Sequence, residues 1–74
     1  MHQFSEQLQT LGSTIRNKRE SDGITQEGLA ERADLHRTYI ADIERGARNV
    51  SIANIIRIAR ALQISVSDLC NGLR

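Results

Sequence analysis

The segment from residue 36 to residue 51 is rich in side chains that can hydrogen-bond to nucleic-acid bases and phosphates. Arg37 could pair with guanine O6 and N7, Thr38 could bond a base edge or touch a thymine methyl, and Asp42 could accept from cytosine N4. Ala41 is small enough to let a helix approach the floor of a groove. The residues predicted to contact DNA bases are Arg37, Thr38, Ala41 and Asp42.

Side chains that suit the DNA backbone surround these residues. Phosphate contacts fix the register of a protein on DNA and supply affinity that does not depend on sequence. Tyr39 lies at the edge of the same face, where its hydroxyl could reach a base or a phosphate. Gln26 begins a predicted helix, where backbone N–H groups and the helix dipole favour a phosphate. The residues predicted to contact phosphates are Gln26, His36, Arg45, Arg48, Asn49 and Ser51.

A helix from about Arg37 to Arg45 would present these side chains together. At 100° per residue, Ile40 and Ile43 define the buried side of this helix, and the predicted base readers lie opposite. Gly46 ends the helix, and a loop follows over residues 47–50.

The preceding residues predict a helix that crosses this one. Thr25 is a good N-cap for a helix that begins at Gln26, and the small side chain of Ala30 allows a close crossing. Asp34 lies at the turn, where a left-handed residue is needed and aspartate is tolerated. The apolar positions of this unit are Leu29, Ala30, Ala33, Leu35, Ile40 and Ile43. Together these features form the helix-turn-helix pattern, whose second helix enters the DNA major groove.

Three further helices complete the predicted fold, a compact all-α domain of five helices over residues 1–74. The first ends at Asp22-Gly23, and its apolar stripe has helical spacing: Phe4, Leu8, Leu11 and Ile15. The fourth runs from Ile52 to Leu62 after a Ser51 cap, with an inward set of Ile52, Ile55, Ile56, Ile58, Ala59 and Leu62. Ser65 or Ser67 could cap a short fifth helix.

Arg19 occupies the next position on the stripe of the first helix, where a charge is costly unless it is paired. Glu44 flanks the buried face of the third helix. We predict a bidentate ion pair between Arg19 and Glu44 that ties the first helix to the third and has a structural role.

The composition argues against other classes of protein. His2 and His36 lack Cys, Asp or Glu partners at metal-ligand spacing, and there is no glycine-rich phosphate loop. We therefore expect no enzymatic activity, metal, cofactor or small-molecule ligand. No apolar run approaches the roughly 18–20 residues that span a bilayer, no signal peptide is evident, and the single Cys70 suits a reducing compartment. A cytoplasmic protein is expected.

The net charge of +1 conceals a segregation along the chain. Residues 1–34 hold four basic and six acidic side chains, a balance of −2, whereas residues 35–74 hold six and three, a balance of +3. The predicted DNA-facing segment belongs to the basic half. Because the total is near zero, specific binding must rest on base contacts, DNA shape and dimerisation.

A family resemblance is carried by residues 24–62, ITQEGLAERADLHRTYIADIERGARNVSIANIIRIARAL. This segment resembles the lambda-repressor-like, XRE-type family of DNA-binding domains. The string HRTYIADIERGARN is similar to the controller proteins of restriction–modification systems, which are small homodimers that bind palindromic operators and regulate their own gene with the endonuclease gene. The resemblance implies DNA contacts from Arg37, Thr38, Tyr39, Arg48 and Asn49. Asp34 stands where glycine is usual, and Gly28 where a better helix former is usual.

A homodimer of this chain would need an interface from its fourth or fifth helix. The apolar arc of the fourth helix covers about 160°, wider than the roughly 100° stripe that one core needs. The predicted interface residues are Ile56, Leu69 and Leu73, although Ile56 could instead pack under the last helix of one monomer. We predict a sequence-specific transcriptional regulator. The alternatives are a phage or plasmid XRE-type repressor and an antitoxin-like protein-interaction module.

Overall fold

A computed structural model describes residues 3–74, and these residues form five α-helices connected by short turns. The helices are α1 (Ser5–Ser21), α2 (Gln26–Ala33), α3 (Arg37–Glu44), α4 (Ile52–Ala61) and α5 (Val66–Leu69). The predicted all-α class and helix order are confirmed, and α3 and α4 each end one residue earlier than predicted. Within residues 3–74, no helix is long and apolar enough to cross a membrane.

Side-chain caps determine where several helices begin. Thr25 Oγ1 accepts a hydrogen bond from the Gly28 backbone N–H at 2.9 Å and begins α2. Ser65 Oγ accepts from the Asp68 N–H at 2.9 Å, so Ser65 rather than Ser67 caps α5. Asp34 has φ 58° and ψ 45°, the left-handed conformation predicted for the turn between α2 and α3.

One hydrophobic core takes residues from all five helices. Its members are Leu11, Ile15, Leu29, Ala30, Ala33, Ile40, Ile43, Ile58, Ala59, Leu62 and Leu69. Gly12 sets how closely α1 approaches α3, because a Cβ at this position would lie 2.4 Å from the carbonyl oxygen of Ile43. Any larger residue would push the two helices apart, so the helix that carries the base-reading candidates sits directly on α1.

Three apolar residues do not lie where the sequence pattern placed them. The prediction that Leu69 belongs to a dimer interface is wrong, because Leu69 is 1% exposed and closes the core beneath α5. Phe4 is 60% exposed because it precedes α1 in a left-handed conformation, with φ 67°, which takes it out of the helical stripe. Ile52 is 66% exposed because it begins α4, at an end of the helix that extends past the core.

Candidate nucleic-acid interface

The two sides of α3 differ sharply in burial. Ile40 is 0% and Ile43 is 1% exposed, so these residues hold the helix against the core. Arg37 and Thr38 are exposed at the N-terminal end, and Ala41 is half-buried one turn further along. The structure therefore places the predicted base readers Arg37 and Thr38 together on solvent, with the small side chain of Ala41 leaving room beside them.

His36 caps α3 and is oriented by that contact. Its Nδ1 accepts a hydrogen bond from the Thr38 backbone N–H at 3.1 Å. When Nδ1 accepts, the neutral imidazole carries its hydrogen on Nε2, which is then a donor. His36 is exposed, so this donor is available to an acceptor such as a phosphate oxygen.

The carboxylate of Asp42 is shared between two arginines. Its Oδ1 forms an ion pair with Arg45, and its Oδ2 lies 3.7 Å from Nε of Arg48. Both guanidinium groups stay largely in solvent, with 67% of the Arg45 and 52% of the Arg48 side chain exposed. Asp42 therefore holds two predicted phosphate-binding residues near the C-terminal end of α3, and its predicted base contact stays a prediction.

Tyr39 is held by residues from outside its own helix. Its hydroxyl oxygen accepts a hydrogen bond from Nδ2 of Asn54 at 3.0 Å. The guanidinium carbon of Arg48 lies 5.0 Å from the centroid of the Tyr39 ring, within cation–π range. Sequence reasoning missed Asn54. The available signal was that Asn54 is a polar residue nearer the inward side of α4 than the exposed Arg57 and Arg60.

The loop after α3 brings the remaining phosphate candidates to the same region. Asn49 is exposed within this loop. Ser51 is also exposed, and its Oγ accepts from the Asn54 backbone N–H at 3.2 Å, which makes it the cap of α4.

Gln26 connects this surface to the buried ion pair. Its Nε2 donates to Oε1 of Glu44 at 3.0 Å, so one amide hydrogen is used inside the protein. The second amide hydrogen and the backbone N–H groups at the start of α2 are the donors left for a phosphate.

The predicted ion pair between Arg19 and Glu44 is formed and buried. Arg19 Nε donates to Oε2 at 2.7 Å and Nη2 donates to Oε1 at 3.0 Å, while Nη1 donates to the carbonyl oxygen of Ile24 at 2.8 Å. Only 10% of the Arg19 and 3% of the Glu44 side chain are exposed. The hydrogen bond to Glu44 raises the pKa of Arg19 above its ordinary value. The stability from this guanidinium is thus present below the ordinary arginine pKa and is lost only above it.

No group of three or more His, Cys, Asp or Glu side chains in residues 3–74 could hold a metal ion. The candidate site is instead a set of neutral and cationic hydrogen-bond donors on α3, the following loop and the starts of α2 and α4. Donors in this arrangement suit a polyanion with acceptors on both its backbone and its base edges.

Known proteins are similar to this chain in sequence. The helix-turn-helix family HTH_3 matches residues 15–69. Control protein C.BamHI of Bacillus amyloliquefaciens is 52% identical over 60 residues, which cover 80% of this chain and 74% of that protein. Control protein C.SmaI of Serratia marcescens is 41% identical over 66 residues, which cover 89% of this chain and 79% of that protein.

A solved structure of a further controller protein has a similar fold. The restriction–modification controller protein C.AhdI from Aeromonas hydrophila superimposes with a TM-score of 0.83 at 42% sequence identity, covering 84% of this chain and 94% of that chain. The match confirms the five-helix, lambda-repressor-like fold and the assignment to non-enzymatic regulators. The chain belongs to the helix-turn-helix family of DNA-binding transcriptional regulators and, within it, to the restriction–modification controller proteins.

Proposed function

We propose that this regulator acts as a homodimer that places two copies of α3 in successive major grooves of a palindromic operator. The observation that carries the proposal is the exposed polar end of α3 directly opposite its buried isoleucines. In a helix-turn-helix dimer the two half-sites lie about 34–36 Å apart, or about 10–10.5 bp. The whole chain would serve as one DNA-binding domain.

Different residues of the surface would serve specificity and affinity. Arg37 and Thr38 are exposed at the end of α3 that a major groove would admit, and the Ala41 methyl would lie against the bases. The phosphate contacts would come from residues around this centre: Gln26, His36, Tyr39, Arg45, Arg48, Asn49 and Ser51. Arg45 and Arg48 supply most of the positive charge of this set, because they are its two arginines. Both lie beside the C-terminal end of α3.

The proposed dimer uses an apolar strip on α4, defined by Ile52 and Ile56. These residues are 66% and 37% exposed and lie one helical turn apart. A second copy is the expected occupant, because a palindromic operator presents two identical half-sites and requires two identical readers. Leu73 is half-buried and packs against the core of its own monomer, so it could reach a partner only with its remaining exposed side.

A selection from random-sequence DNA tests the proposed function. Wild-type protein should enrich a palindrome with half-site centres about one helical turn apart. Arg37→Ala should then lose about 1–3 kcal/mol on the enriched duplex and relax one base position in each half-site. Enrichment of no sequence, or of a single unrepeated site, would contradict the homodimer on a palindrome.

Sedimentation tests the α4 strip. Ile56→Glu places a charge on the strip and should convert the dimer to a monomer at micromolar concentration, because an unpaired charge at an interface is costly. Phe4→Glu is the matched control, since Phe4 is 60% exposed and apolar but lies before α1. It should leave the dimer intact. A wild-type monomer, or a dimer that survives Ile56→Glu, would overturn this interface.

A further inference from the structure

Two residues outside α3 hold the side chain of Tyr39, namely Asn54 and Arg48. A tyrosine on an exposed helix face rotates about two side-chain bonds, and ordering such a side chain on binding costs conformational entropy. Here the hydroxyl is bonded to Asn54 and the ring is covered by Arg48 before any DNA is present. Tyr39 is therefore already ordered in the free protein, and DNA binding does not have to restrict its rotation.

The direction of the Asn54 hydrogen bond determines what Tyr39 can offer to DNA. A phenolic hydroxyl has one hydrogen to donate and lone pairs that accept. The Asn54 amide nitrogen is the donor in this contact, at 3.0 Å, so it occupies an acceptor site of the hydroxyl. The hydroxyl hydrogen remains free, and phosphate oxygens are acceptors only.

The backbone of Asn54 is itself fixed by the start of α4. Its N–H donates to the cap residue Ser51 at 3.2 Å, which is the bond that begins the helix. The position of the amide relative to Tyr39 thus follows from the α4 cap, and the same cap lies beside the loop that carries Arg48 and Asn49.

We propose that Asn54 is a positioning residue for DNA binding, which keeps the hydroxyl hydrogen of Tyr39 free for donation to a phosphate oxygen. The proposal rests on the proposed DNA-binding function and adds a residue that does not need to touch DNA. A phosphate is the acceptor because the neighbours of Tyr39 in space are Arg48 and the start of α4, the phosphate-binding side of the surface.

Three substitutions distinguish the contribution of the Tyr39 hydroxyl to DNA binding from the contribution of the Asn54 hydrogen bond that positions it. Tyr39→Phe removes the donor, Asn54→Ala removes the positioning bond, and Asn54→Asp replaces a donor with an acceptor that would take the hydroxyl hydrogen. The probe is the duplex of about 30 bp, three helical turns, that wild-type protein enriches most from a random-sequence library. Dissociation constants are measured by fluorescence anisotropy on this duplex and on a random-sequence duplex of equal length.

The expected losses follow from the worth of a hydrogen bond to a charged group. Tyr39→Phe should weaken binding about tenfold on both duplexes, since a phosphate contact carries no base preference. Asn54→Ala should weaken it about threefold, and Asn54→Asp about tenfold or more. Each variant should melt within about 4 °C of the wild type, so that a change in affinity does not reflect loss of the fold.

The matched control for the added charge is Ala53→Asp. Ala53 is exposed on the same turn of α4, so this variant repels phosphates without reaching the Tyr39 hydroxyl. In a Tyr39→Phe background, Asn54→Asp should cost no more than Ala53→Asp, and Asn54→Ala should cost nothing further.

The possible results have separate meanings. With Tyr39 intact, equal losses for Asn54→Asp and Ala53→Asp would overturn the positioning role and leave DNA binding intact. Losses at Asn54 that add fully to the loss from Tyr39→Phe would have the same meaning. Unchanged affinity of Tyr39→Phe would also overturn the positioning role. A wild-type protein that enriches no duplex would overturn the proposed function together with this inference. If Asn54→Asp does not fold, the Asn54→Ala pair of measurements decides the same question.

Discussion

Two clusters of arginine and carboxylate side chains meet on α3, and they differ in their access to solvent. In the buried cluster, Glu44 accepts from Arg19 and Gln26, and its side chain is 3% exposed. In the surface cluster, Asp42 is shared by Arg45 and Arg48, whose side chains are 67% and 52% exposed. Glu44 and Asp42 are only two residues apart in the chain.

The difference in burial gives the two sets of arginine–carboxylate ion pairs different roles. A buried charge cannot regain its hydration when its partner is removed, so the Arg19–Glu44 pair is fixed and ties α1 to α3. An exposed ion pair contributes little stability because water and salt replace each partner easily. Arg45 and Arg48 can therefore leave Asp42 for another anion at small cost, such as the DNA phosphate of the proposed function. The first cluster holds α3 in place, and the second keeps its cations available.

The largest expected effect is on the buried cluster. Glu44→Ala should lower the free energy of unfolding by about 3–5 kcal/mol, because it leaves the Arg19 guanidinium buried without a carboxylate. Asp42→Ala is the matched control and should cost less than about 1 kcal/mol. Urea denaturation followed by circular dichroism measures both. Equal losses would show that burial does not distinguish the two clusters.

A double substitution asks whether the buried charges are needed for stability. Arg19→Met with Glu44→Leu removes both charges and keeps the apolar volume. The double variant should be about as stable as the wild type, and so more stable than Glu44→Ala by about 3–5 kcal/mol, since no unpaired charge remains buried. The same urea titration measures this difference. If the double variant were no more stable than Glu44→Ala, the stability would come instead from two hydrogen bonds of this cluster. These are the bond from Arg19 to the Ile24 carbonyl oxygen and the bond from Gln26 to Glu44.

A smaller effect is expected from the surface cluster, and on DNA binding rather than stability. Arg48→Ala should weaken binding alike on selected and random-sequence duplexes and reduce the slope of log K against log salt by about 0.9. Arg60→Ala is the control, because Arg60 is an exposed arginine at the opposite end of α4. Anisotropy titrations over a range of salt give both slopes. A loss confined to the selected duplex would make Arg48 a base reader.

The smallest effect is expected from Asp42→Asn. Removal of one negative charge beside Arg45 and Arg48 should strengthen binding to random-sequence DNA by about threefold, the scale of an exposed ion pair. A repeated selection with this variant tests the base contact predicted for Asp42. Loss of a preferred C·G pair at one position would establish that contact, whereas an unchanged preferred sequence would assign Asp42 only to holding the two arginines.

Local features of the sequence determined the fold. Helical periodicity, the Thr25 and Ser51 caps and the left-handed Asp34 act within a few residues, so they predict the helices and the helix-turn-helix without tertiary information. The Arg19–Glu44 pair was also predictable, because a charge on an apolar stripe needs a partner and few carboxylates flank the buried face of α3.

Contacts between distant elements were decided only by the tertiary structure. The close approach at Gly12 and the bond from Asn54 to Tyr39 depend on distances that no spacing along the chain encodes. The burial of Leu69 and the exposure of Ile52 have the same origin, since a helical stripe shows which side is apolar but not where the core ends. The sequence thus determined the helix-turn-helix and the side chains proposed to read DNA, while packing decided which neighbouring residues hold those side chains.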